Sequence, residues 1–206
     1  MQKIFNAEFV LLDKRDYVHA TSMIEQLFKA SVFWRLGSIR SYELKIHRPL
    51  YSQGKYLLLN ESGDESKHDV VASFNVTTDK EEYKIVLIST DQGELIRKEY
   101  DENGLVAKAN YDPASRSIRL PVSGIKQFAN IVISLNKALL SNACPGKNGK
   151  WYCRRIKLDW SVVEGRLGVA ELVLQLSKML GDHDSKSNVM LDEINVGWVY
   201  FSRRKP

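Results

Sequence analysis

Two side chains able to exchange protons stand near the start of the chain, His19 and Glu25. Ser22 and Glu25 have the Ser-x-x-Glu spacing in which a serine caps a helix and the glutamate answers it three residues on. His19 precedes that helix closely enough to act beside it as an acid or base. The structural alternatives are a glutamate that serves only its own helix end and a loop histidine. Asn130 and Asn136 interrupt an apolar run; buried amides need partners, so either could orient a ligand carbonyl or tie down a loop. Basic residues gather at Lys14-Arg15, at Arg154-Arg155 with Lys157, and at Arg203-Arg204-Lys205, with Trp151, Tyr152, Trp160, Trp198, Tyr200 and Phe201 nearby. Such clusters hold phosphates, and aromatic–basic strands can stack single-stranded nucleic acid. Equally, cations of this kind line solvated faces and aromatics at strand spacing fill cores.

Other chemistries lack their residues. The chain has no GxGxxG, no Walker loop and no GxSxG elbow, and no His, Cys or acidic residues at metal-ligand spacing. Dinucleotide enzymes, NTPases, serine hydrolases of that type and zinc hydrolases are therefore not expected, and no cofactor or metal is implied. With 206 residues, 44% hydrophobic and 27% charged, the composition is that of a soluble globular protein. A net charge of +5 suits anionic ligands without requiring nucleic acid. The two cysteines, Cys144 and Cys153, are read as reduced thiols, and with no signal-peptide pattern at residues 1–13 the expected location is cytoplasmic. The longest apolar run, 128–140, is broken by Asn130, Ser134, Asn136 and Lys137 and is too short to span a bilayer.

The elements that must position these residues follow from periodicity. Residues 3–12 read as a strand. Over 16–36, Ile24, Leu27, Phe28, Ser31 and Val32 form a helical stripe, capped by Thr21 or Ser22 and stopped at Gly37. Strand-like runs follow at 39–47, 56–60, 70–77, 83–90 and 94–100, separated by turns such as Glu61–Asp64 and Asp91-Gln92-Gly93. Asn103-Gly104 predicts a hairpin leading into strands at 105–111 and 117–122. Ser123 then caps a second helix over 124–140, apolar nearly all round, which other structure must wrap. After a loop at 141–150, long strands are expected at 151–160, 168–179 and 189–203, with a polar turn over 181–188.

The order strand, helix, strands thus occurs twice. Each helix is followed by a strand that starts with Lys-aliphatic and ends in a turn with Gly-basic, Lys45–Lys55 in the first half and Lys157–Arg166 in the second. A repeat period near half the chain implies two similar modules, 1–99 and 100–206, packed as one unit.

One antiparallel sheet curled around a long buried helix in each half resembles the hotdog fold of acyl-thioester enzymes, the thioesterases and dehydratases. Two stretches carry the resemblance. Tyr17–Leu27 looks like the loop and helix start of the dehydratases, and Ile46–Lys55, with Arg48-Pro49 and Gly54, looks like the following strand of such modules. His19 and Ala20 stand where the dehydratases have Pro-Gly, and residues 9–16 lack the upstream catalytic histidine. Hydrolysis is therefore favoured over dehydration.

The resemblance implies an α+β fold of two hotdog-like modules and an acyl-thioester substrate, carried by coenzyme A or an acyl-carrier protein. It casts Glu25 as general base, His19 as its assistant, and the start of the first helix as the group that polarises the thioester carbonyl. Asn130, Arg48 and Arg155 are the candidate substrate-binding residues. The rival expectation is a non-catalytic module that binds an acyl carrier, a partner protein or single-stranded nucleic acid. Assembly as a homodimer stays open.

Overall fold

A computed structural model describes residues 3–59, 68–90, 93–124, 127–145, 149–166 and 168–204. The expected turns at Glu61–Asp64 and Asp91-Gln92, and Ile125, Gly146, Asn148 and Lys205, lie outside the described residues. The chain divides into two compact units, Met1–Tyr100 and Asp101–Pro206.

In the first unit, β1 (Lys3–Ala7) and the short β2 (Val10–Leu12) precede α1 (Ala20–Trp34). Then come β3 (Ile39–Ile46), β4 (Gly54–Leu59), β5 (Val70–Thr78), β6 (Glu82–Ser89) and β7 (Ile96–Lys98). Antiparallel pairing gives the sheet order β1-β4-β6-β5-β3, while β2 and β7 form a separate parallel pair. Register places Tyr42, Leu44, Phe74, Val76, Ile85, Leu87, Tyr56 and Leu58 on one face of this sheet. All are buried, as are Met23, Leu27, Ala30 and Trp34 of α1. The other face buries a smaller cluster of Leu57, Leu59 and Val86.

The second unit opens with α2 (Glu102–Val106), where the sequence predicted a hairpin and a strand. The Asp101 carboxylate accepts from Gly104 N–H at 2.8 Å and caps a helical turn, so the Asn-Gly pair lies inside that turn. Next come β8 (Asn110–Asp112), β9 (Ser117–Ser123), α3 (Phe128–Ala143), β10 (Lys150–Asp159) and α4 (Trp160–Glu164). β11 (Val169–Leu180), β12 (Asp184–Leu191) and β13 (Ile194–Arg204) complete it, in the order β8-β9-β11-β12-β13-β10. The single strand expected at 189–203 is thus two strands joined at Asp192-Glu193, and the expected polar turn holds the first half of β12. Ile118, Leu120, Leu172, Leu174, Val189, Val199, Phe201, Ile156 and Leu158 share one buried face by register. Among the described helices, none is long and apolar enough to cross a membrane.

Candidate functional site

The site begins at the mouth of α1. His19, not Thr21 or Ser22, is the residue before the helix; its backbone is extended and its side chain makes no capping hydrogen bond. The first intrahelical bond runs from Met23 N–H to the His19 carbonyl, at 3.2 Å. The N–H groups of Ala20, Thr21 and Ser22 therefore open the helix with its positive dipole end and no acidic side chain in the first turn. The His19 ring is 4% exposed, and its Nδ1 lies 2.9 Å from Thr21 Oγ1, which fixes the imidazole against the turn it precedes.

Buried Gln26, half-buried Gln53 and the buried Tyr56 phenol pin the helix start and the chain segments beside it. Gln26 accepts from Glu8 N–H at 3.3 Å and donates to the Glu8 carbonyl at 2.8 Å, as a neighbouring strand would. Gln53 does the same for Phe9, at 2.7 and 3.0 Å, and donates as well to the Glu94 carbonyl at 3.0 Å. Tyr56 donates to the Met23 carbonyl at 2.7 Å from within a cluster of Phe5, Phe9 and Phe74. Burial pushes its phenol well above the ordinary value, so it stays a neutral donor. Sequence reading missed these three residues. Gln26 was within reach, since it follows Met23 and precedes Ala30 at helical spacing on the buried side.

Glu25 is placed differently from expectation. Counting from Ala20 it is the sixth residue of α1, beyond the capping position, and its carboxylate is on the exposed side, 3.4 Å from Lys29 Nζ. Arg48 is half-buried and ion-paired with Asp69. Asn130 sits half-buried in the first turn of α3. Arg155 lies on the outer face of the second sheet, its guanidinium 5.3 Å from the Trp198 ring, with Lys186 Nζ 5.0 Å from the same ring. The structure brings His19 together with the start of α1 within the first unit. Asn130 and Arg155 belong to the second.

The comparisons bear on the fold. No protein-family model matches the chain, and no curated protein does. Solved structures do. A protein of Thermobifida fusca assigned as a thioesterase II aligns over 99% of this chain and 92% of its own, with a TM-score of 0.54 and 8% identity. A monomeric dehydratase domain from a trans-AT polyketide synthase split module aligns over 98% and 96%, at TM-score 0.52 and 10% identity. The pyran synthase domain from module nine of the sorangicin pathway aligns over 100% and 94%, at 0.51 and 11%. The chain has the hotdog fold.

Proposed function

We propose that the chain binds acyl thioesters and hydrolyses them at the mouth of α1. The observation that carries this reading is the pairing of a buried, oriented imidazole with an uncapped helix N-terminus in a hotdog fold. The N–H groups of Ala20–Ser22 face the negative charge that develops on a thioester oxygen, where the helix dipole adds to their pull. His19 removes a proton from the attacking water and returns it to the departing thiolate, so that acid and thiol leave together. We place proton transfer on His19 rather than Glu25, because Glu25 lies a turn and a half into the helix and faces Lys29. Arg48, Arg155 and Asn130 are candidates for the phosphates and amides of a coenzyme A or carrier arm. We read the two compact units as two hotdog modules, each with an antiparallel sheet and one long helix, α1 in the first and α3 in the second.

The test is thiol release from a panel of acyl-CoA esters by the natural chain, His19→Gln and Glu25→Gln. We expect turnover to fall at least about 100-fold in His19→Gln and to change little in Glu25→Gln. The reverse ranking moves the base back to Glu25. A second reading, a non-catalytic binder of an acyl carrier, is favoured by one observation: neither α1 nor α3 places an acidic residue in its first turn. Absence of turnover on every acyl-CoA and acyl-carrier substrate, with saturable binding of the carrier, selects that reading.

A further inference from the structure

The inner face of the second unit holds polar groups that its protein surroundings leave unanswered. Asn136, in the second half of α3, is 0% exposed, and neither its Nδ2 nor its Oδ1 has a hydrogen-bond partner among the described residues. Ser185 and Ser187 of β12 are also 0% exposed, and their hydroxyls are likewise unpaired there. Native interiors rarely leave such groups alone, and here four polar atoms do so at once.

Helix direction and strand register argue that the three residues lie at one level of the unit. Phe128 at the start of α3 meets Trp160 just beyond β10, with ring centroids 6.4 Å apart, while Lys137 lies close enough to Cys153 to act on its thiol. Helix and strand therefore run antiparallel, and the turn of α3 that holds Asn136 and Lys137 lies at the level of the early part of β10. Across the sheet, Cys153 is level with Phe201, and Phe201 with Ser185. Ser187 is the next inward residue, flanked by Leu176 and Val199. The polar atoms are thus ringed by buried apolar side chains. Burial raises the Cys153 thiol well into the neutral form, so the thiol adds no charge of its own.

We propose that Asn136, Ser185 and Ser187 form a binding site for a neutral oxygen-bearing group that both donates and accepts hydrogen bonds. An asparagine amide offers a donor and an acceptor side by side, and two hydroxyls complete the set. Asn136, Ser185 and Ser187 carry no charge themselves, so a neutral hydrogen-bonding group costs less to bury against them than an ion does. Two sources supply the chemistry: water held as part of the interior, or the hydroxyl of an otherwise apolar molecule. The site lies in the second unit and is independent of the reading at α1.

The test uses the full chain, labelled with nitrogen-15. The Asn136 side-chain amide, assigned by its loss in Asn136→Leu, is examined for cross-relaxation with water and for shifts on titration with 1-hexanol. A water cross-peak supports the site with water as the group, and a saturable hexanol shift with loss of that peak supports the alcohol. Ser187→Ala is expected to weaken either signal several-fold, and Asn136→Ala provides the assignment control if Asn136→Leu does not fold. Tm of Asn136→Leu, or of Ser187→Ala in that case, is expected to fall by a few degrees. An amide in contact with neither water nor hexanol overturns the proposal. A Tm that holds or rises overturns it too, since removing a mere orphan relieves the fold.

Discussion

Two groups of polar side chains, one in each unit, are handled in opposite ways. In the first, Gln26, Gln53 and Tyr56 each bind backbone, and the result is a fixed entry to α1. In the second, Asn136, Ser185 and Ser187 are 0% exposed and bind no described protein group. The sheets differ as well. Strands β11, β12 and β13 follow one another as a meander, whereas β5 and β6 exchange places, so β4 lies beside β6 and the chain must pass over one strand to reach β5. Tight turns at 181–183 and 192–193 enforce the meander. The first unit secures its geometry with side-chain clamps, the second with close backbone contact between strands.

That contrast is sharpest at the strand glycines. Gly197 of β13 has φ of +151°, and a Cβ there would lie 2.0 Å from the Lys157 carbonyl oxygen of β10. Gly54, at the start of β4, leaves more room: its Cβ would meet the Ile88 carbonyl at 2.8 Å and a Leu87 methyl at 2.9 Å. Gly197→Ala is expected to cost about 3 kcal/mol or more, and Gly54→Ala about 1–2 kcal/mol, both read from urea midpoints. Equal losses would show that β10 and β13 can move apart as readily as β4 and β6.

Next in size is the clamp on Phe9. Gln53→Leu leaves the N–H and carbonyl of a residue 2% exposed without their partners. We expect a loss of about 2–3 kcal/mol, and a change below about 0.5 kcal/mol would mean that water replaces the amide. A smaller effect separates the units by pH. Burial pushes the Cys153 thiol up from 9.0 to about 12, so the folded chain holds that proton more tightly than the unfolded one. The stabilisation is complete below about pH 9 and is lost as pH rises toward 12. Between pH 8 and 10 this amounts to about 1 kcal/mol, which Cys153→Ala should remove from the pH dependence of the urea midpoint.

Much of this architecture was legible from periodicity. The apolar stripe placed α1 within a few residues, and the strands β3, β5, β6, β9, β10 and β11 stand where alternation put them. Local side-chain chemistry hid the rest. Asp101 turned an expected hairpin into a helical turn. Ser22 and Glu25 have capping-box spacing, but α1 starts earlier, at Ala20, and that moves Glu25 out of the first turn. His19 was visible as a residue type, and its burial and its bond to Thr21 were not. The unpaired Asn136 was visible as a polar break in an apolar helix, but its relation to Ser185 and Ser187 depends on strand register, which the sequence of the hairpin concealed.

The concealed hairpin also yields the smallest effect, one of opposite sign. Leu191 pairs with Ile194, so Asp192 and Glu193 alone make the turn, with φ of 48° and 67°. Two positive values define the type I′ turn that normally selects Asn-Gly, and neither residue here supplies that signal. Asp192 compensates through its contacts. Its carboxylate accepts from Glu171 N–H at 2.8 Å and from Arg166 at 3.1 Å, and its own N–H donates to the Glu171 carbonyl at 3.0 Å. Glu193 is exposed and contributes only its strained backbone. A left-handed non-glycine residue costs roughly 1–2 kcal/mol, and glycine's extra freedom when unfolded returns about half of that. Glu193→Gly should therefore stabilise the chain by about 0.5 kcal/mol, while Asp192→Gly, which relieves the same strain but loses the anchors, should destabilise it by about 1 kcal/mol. Paired urea titrations decide it: if both variants shift the same way, the turn is held by its backbone alone and the Asp192 contacts contribute nothing.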